Sequence, residues 1–161
     1  MAPTKKTDGS DKIADSLYER DFYSWALDQE RALIEHRTED LDWDNLADEV
    51  GDLARSERRA FRSQCARLIE HLLKVGFAPK AILENNRRQW NLSVSDARSE
   101  INDFLAESPG LKPSAEELFG SAWGRGRNAV LMFLELPDEA IPQTPPWSFE
   151  QAMDDNFKPG K

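Results

Sequence analysis

LDWDNLADEVGDLARSERRAFRSQCARLIEHLLKV, residues 41 to 75, is the stretch that decides the fold class. Turned at about 100° per residue, Leu46, Val50, Leu53, Ala60, Phe61, Leu68, Leu72 and Val75 gather on one face. Ser56, Arg59, Arg62 and Ser63 fall largely outside it. This spacing predicts one long amphipathic helix with its apolar side toward a core. Asp42 or Asp44 can cap it, because a carboxylate oxygen accepts from the unpaired amides of a first turn. Asp44, Asp48 and Glu49 also place negative charge at the positive end of the helix dipole. Gly51 weakens such a helix by about 1 kcal/mol relative to Ala without breaking it. Gly76 followed by Pro79 is the predicted stop.

The neighbouring stretches repeat the pattern. Before it, Leu17, Phe22, Trp25, Ala26, Gln29 and Leu33 recur at helical spacing and predict a helix from Ser16 or Leu17 to His36. Residues 37 to 40 form a polar connection. After it, Leu83, Trp90, Val94, Ala97, Ile101, Phe104 and Leu105 predict a helix over Ala81 to Glu107, with Arg87 inside the stripe and Arg98 at its border. ESPGLKPS, residues 107 to 114, is a turn. A further helix is predicted over Ser114 to Leu136, with Leu118, Ala122, Ala129, Met132, Phe133 and Leu136 inward, Arg125 among them, and Gly124 and Gly126 allowing a close approach or a kink. Beyond Pro137 a proline-rich segment is expected to wrap the helices, anchored by Ile141, Trp147, Phe149 and Met153, with Ser148 capping a last turn.

No strand pattern lasts long enough to build a sheet, so the reading is all-α: an up-down four-helix bundle with a Pro-rich C-terminal segment wrapped on it. Residues 15–157 are taken as one domain, with tails over 1–14 and 158–161. Of 161 residues, 30 are acidic and 21 are Lys or Arg, a formal net charge of -9. That balance argues against nonspecific nucleic-acid binding, which requires a basic surface. The single cysteine, Cys65, excludes an intrachain disulfide framework and a cysteine-rich zinc site. No apolar run approaches the roughly 20 residues that span a bilayer, and no signal-peptide core opens the chain. A cytoplasmic protein is expected.

Three polar residues interrupt the apolar stripe of residues 41 to 75. Glu57, Gln64 and His71 sit seven apart at one azimuth. If buried they need partners, since an unpaired buried polar group costs about 1–3 kcal/mol. Arg87 and Arg125 are the expected inward cations, and an arginine fork meets a carboxylate bidentately. Two readings stay open: a satisfied structural network, or a pocket floored by Glu57, His71 and an arginine. A metal site would need Glu49, Glu57, His36 and His71 to meet by tertiary contact, and no ligand spacing specifies that. Arg88, Trp90 and Trp147 are candidates for an interaction surface. Arg55, Arg58, Arg59 and Arg62 read as a solvated, salt-bridged face beside Glu57 and Glu70. Cys65 reads as a small packed side chain rather than a nucleophile. Gly124-Arg125-Gly126 lacks the strand and the Lys-Ser/Thr pair of a phosphate loop, and no cofactor motif is present.

The segments LYERDFYSWALDQERALI (17 to 34), residues 41 to 74, NRRQWNLSVSDARSEI (86 to 101), ESPGLKP (107 to 113) and PWSFEQAMDDNF (146 to 157) give the chain a resemblance to the DUF29 family of bacterial proteins. The resemblance spans about Leu17 to Phe157. It implies an all-helical fold and carries no reaction, cofactor or catalytic residue. The leading functional expectation is therefore a binding or protein-interaction module, with a protein partner or a second copy as its target. The alternatives are a small metal-assisted hydrolase or nuclease using Glu57 and His71 with an inward arginine, and an antitoxin-like regulatory partner.

Overall fold

The computed structural model describes residues 16–157 and 159, so the predicted tail over 1–14 lies outside the described residues, as does all of 158–161 but Pro159. Every regular element among the described residues is helical. The sequence reading takes residues 15–157 as one domain; the contacts divide the chain into two compact units, one ending at Ala54 and one beginning at Arg55.

In the first unit, α1 (Leu17–Arg20) and α2 (Phe22–Ile34) replace the single helix predicted to His36. Asp21 is the reason. It leaves helical geometry at φ -153 and ψ 80, and its carboxylate caps α2 by accepting from the Ser24 N–H at 3.0 Å. At the other end His36 takes a left-handed φ of 57 and stops the helix early. A short 3-10 turn, Thr38–Asp40, leads to α3 (Trp43–Phe77). Asp42 caps α3, taking the Asn45 side-chain amide at 2.7 Å and its backbone N–H at 3.4 Å.

α3 continues through the division at Ala54 into the second unit, and ends at Phe77 rather than at Gly76. α4 (Lys80–Glu107) follows after two residues, then the 3-10 turn Pro109–Ser114, α5 (Ala115–Leu134), the turn Asp138–Ala140 and α6 (Phe149–Met153). The core of this unit joins Phe61, Leu68, Ile69 and Leu72 of α3 to Trp90, Ala97 and Ile101 of α4 and to Phe119, Trp123 and Val130 of α5. Gly126 is where α5 meets α3. A Cβ there would lie 2.7 Å from Ile69 Cγ2 and 2.8 Å from the Ala66 carbonyl oxygen.

The apolar face of α5 is rotated from the predicted one. Leu118, Phe119, Ala122, Trp123, Gly126, Arg127 and Val130 are buried, while Arg125, Met132 and Phe133 are exposed. Choosing the face around Trp123 lets the indole Nε1 donate to the Pro142 carbonyl at 3.0 Å and the ring meet Trp147 edge-on at 5.2 Å. Two buried arginines hold the chain after α5. Arg127 Nε donates to the Ile141 carbonyl at 3.0 Å and a terminal nitrogen pairs with Asp138 at 2.8 Å. Arg98 of α4 donates to the Ala152 carbonyl at 2.9 Å.

Candidate functional site

Glu57, Gln64 and His71 share an azimuth on α3 but not a place. At 1.5 Å rise per residue, successive members stand about 10 Å apart and the outer two about 21 Å apart. Glu57 is exposed, and its carboxylate accepts from the Ser108 hydroxyl at 3.4 Å. Gln64 and His71 are half-buried; Gln64 Oε1 and His71 Nδ1 have no hydrogen-bond partner among the described residues. Burial draws the imidazole's pKa below its ordinary value. Arg87 and Arg125, predicted inward, are exposed, and no ion pair joins either to Glu57 among the described residues. Arg125 donates instead to the Ser63 hydroxyl at 3.2 Å. The predicted constellation of Glu57 and His71 with an inward arginine is therefore not assembled.

Among the described residues the inward arginines are Arg98 and Arg127, both more than nine-tenths buried. Arg98 stood at the border of the predicted stripe, and Arg127 was outside it. Their main partners are backbone carbonyls, which leave no side-chain signature in a sequence. Nor do His36, Glu49, Glu57 and His71 form a metal centre: among the described residues no three His, Cys, Asp or Glu side chains are arranged to hold an ion.

Other candidates resolve as follows. Arg88 is exposed, but Trp90 and Trp147 are buried, one against Phe133 and the other between Trp123 and Phe157, so neither indole offers a free surface. Arg55, Arg58, Arg59 and Arg62 line a shallow cleft of about 310 Å³ with Glu117, Leu118 and Ser121. Within it Arg58 pairs with Glu117 at 3.4 Å. Glu70 holds the buried ammonium of Lys74 at 2.6 Å. Cys65 is fully buried, and burial pushes its thiol up to about 12, which suits packing and not nucleophilic attack.

The unit ending at Ala54 is built differently. Its buried residues among those described are Trp25, Gln29 and Ala32, and the first two meet the start of α3 through polar bonds. The Asp42 N–H donates to Gln29 Oε1 at 2.7 Å, Gln29 Nε2 donates to the Asp40 carbonyl at 3.4 Å, and Trp25 Nε1 donates to the Asp42 carboxylate at 3.2 Å. The Asn45 side-chain amide, with the Asn45 backbone N–H and the Trp25 indole, holds the Asp42 carboxyl below its usual range. Tyr18 donates to Glu49 at 2.6 Å, a bond that raises the phenol to about 12.

Because the inner side of α2 is latched by polar groups, its apolar residues face out. Tyr23, Leu27 and Ile34 fall within about 40° of azimuth and all are exposed. On α3, Trp43, Val50 and Leu53 form a second exposed stripe, with Leu46 half-buried among them. Val50 and Leu53, predicted core residues, stand 64% and 69% exposed. In all, nine of the thirteen large exposed hydrophobic side chains of the described residues lie in this unit. Charge is concentrated there as well. Residues 16 to 54 hold twelve acidic and three basic residues, a net of -9, whereas residues 55 to 161 hold fifteen of each. Of those hydrophobic side chains, Leu17, Phe22, Leu33, Val50 and Leu53 are the ones whose spacing predicts an inward position, and all five are exposed.

The model of a family described as a domain of unknown function, DUF29, matches residues 17–158. The chain belongs to the DUF29 family. No curated protein and no solved structure matches this DUF29 chain. Among its described residues no helix is long and apolar enough to cross a membrane.

Proposed function

We propose that this DUF29 protein is a cytoplasmic protein-interaction module whose binding surface is the apolar face of the unit ending at Ala54. In this reading the unit beginning at Arg55 is the scaffold, an up-down helical bundle with the chain after α5 strapped to it. Short connections of the kind that place helices antiparallel support that arrangement, as do the two buried arginines on the strap.

The observation that carries the reading is the distribution of exposed apolar side chains. Among the described residues of this small helical unit three are buried while nine large hydrophobic side chains stand in water, and exposed apolar surface on this scale marks an interaction site. The residues are also the right types, since aromatic and aliphatic anchors dominate the energetics of interfaces.

The test is a pull-down run in parallel with the wild-type protein and with a Leu27→Asn, Val50→Asn, Leu53→Asn variant of matched melting temperature. Proteins retained by the first and lost from the second support the reading. An identical set on both would rule out this face as the binding surface.

A further inference from the structure

The same face carries information about what it binds. At about 100° per residue Asp42 and Glu49 fall beside the α3 stripe and Asp44, Asp48 and Asp52 lie around the rest of the helix, and residues 42 to 54 hold no Lys or Arg. The whole formal charge of the protein resides in residues 16 to 54. The exposed apolar row therefore lies inside a strongly negative field. Resting on the reading above, we infer that the partner is a basic amphipathic helix of another protein, its apolar side on Trp43, Val50 and Leu53 and its Lys and Arg residues drawn by the negative field around that row.

Three considerations select this occupant. The row Trp43, Leu46, Val50, Leu53 has alternating spacings of three and four, the spacing of a seam that accepts another helix. A second copy of this chain, docking through the same face, would bring two such acidic surfaces together, and like charges opposed across an interface disfavour a partner. An anionic lipid surface is repelled for the same reason, because membrane-surface helices carry basic rather than acidic polar faces. A cationic helix meets both demands: it covers the apolar row, and its charge is attracted by the field before contact.

Fluorescence anisotropy of labelled model helices tests the inference. Four peptides of about 20 residues, some 30 Å when helical, carry Leu at the seam with Lys, Gln or Glu elsewhere, or Ala at the seam with Lys elsewhere. The Lys/Leu peptide is expected to bind about tenfold more tightly than the Gln/Leu peptide, and to lose that advantage at high salt. The Glu/Leu and Lys/Ala peptides are expected to bind at least tenfold more weakly than Lys/Leu. Asp44→Lys should weaken the Lys/Leu complex and leave the Gln/Leu complex unchanged, and Val50→Asn with Leu53→Asn should weaken both of these.

Equal binding of the Gln/Leu and Lys/Leu peptides would overturn the basic partner while leaving an apolar interaction face intact. Equal binding of Lys/Ala and Lys/Leu, or Lys/Leu binding untouched by the Val50 and Leu53 substitutions, would show a charge effect without docking and overturn it too. Absence of peptide binding, together with salt-insensitive dimerisation in sedimentation equilibrium that Leu53→Asn abolishes, would replace the basic helix with a second copy. Absence of peptide binding with attachment to zwitterionic vesicles would replace it with lipid. No binding to any of these and a monomer at every concentration would remove the interaction reading as well.

Discussion

The two halves of α3 show what a helix does with the same alphabet in different company. Phe61, Leu68, Ile69 and Leu72 in its C-terminal half are fully or almost fully buried against α4 and α5. Trp43, Val50 and Leu53 in its N-terminal half continue the apolar pattern but stay in water. Periodicity is alike in both. What differs is the neighbour: α2 meets the start of α3 through Trp25, Gln29 and Asp42 rather than through an apolar face. An amphipathic stripe therefore records that a helix has something to cover, and leaves open whether the cover comes from its own chain.

The sharpest way to break this contrast is the same truncation on both sides of the division. Phe61→Ala is expected to cost about 4 kcal/mol, because a fully buried aromatic leaves a cavity and loses its contacts with the Phe104 and Phe149 rings. Denaturant unfolding measures it, and a loss below about 1 kcal/mol would mean that the core is not packed as described. Arg127→Ala comes next, at about 3 kcal/mol, since it leaves the Ile141 carbonyl without its buried donor and releases the chain after α5. Proteolysis after α5 should accelerate with it.

Gly126→Ala is expected to cost about 2 kcal/mol, because one of the atoms it strikes is the backbone oxygen of Ala66 and cannot turn aside. Gly124→Ala, two residues away with nothing within 4 Å of the added Cβ, should instead stabilise α5 by about 0.5–1 kcal/mol. Equal effects of the two would place the α3–α5 contact elsewhere.

A smaller effect is expected from His71. Burial favours its neutral form, so the folded imidazole takes up a proton less readily than the unfolded one, whose pKa is about 6.5. Its contribution is complete above that pH and declines as pH falls toward the lower folded value, where the unfolded chain binds more protons. Melting temperature followed from pH 7 downward should fall less steeply in His71→Gln than in the wild type; parallel curves would show that His71 is not desolvated. The smallest effect belongs to Leu53→Ala, expected within about 0.5 kcal/mol of zero because the side chain is already hydrated. A loss comparable to that of Phe61→Ala would place Leu53 in a core.

Much of the helical map was legible because periodicity, caps and breakers are local. The predicted helix over Ala81 to Glu107 differs from α4 by one residue. The polar connection over residues 37 to 40 appears with its 3-10 turn, and Ser148 caps α6. The break at Asp21 was missed because an aspartate can either sit within a helix or cap a new one, and only its bond to Ser24 decides. The candidate site was less legible. Glu57 and His71 match in azimuth while lying about 21 Å apart along the axis, a separation that a helical wheel projects away. Arg127 escaped notice because its partners are largely main-chain oxygens.

The amino-acid order alone determined the all-helical class, most of the helix limits and the concentration of negative charge in residues 16 to 54, because each depends on nearest neighbours or on counting. Tertiary structure decided which arginines are buried, that Glu57 faces water, and that Val50 and Leu53 remain exposed. Those outcomes depend on what packs against a helix face, and a periodic pattern specifies the face but not the surface that meets it.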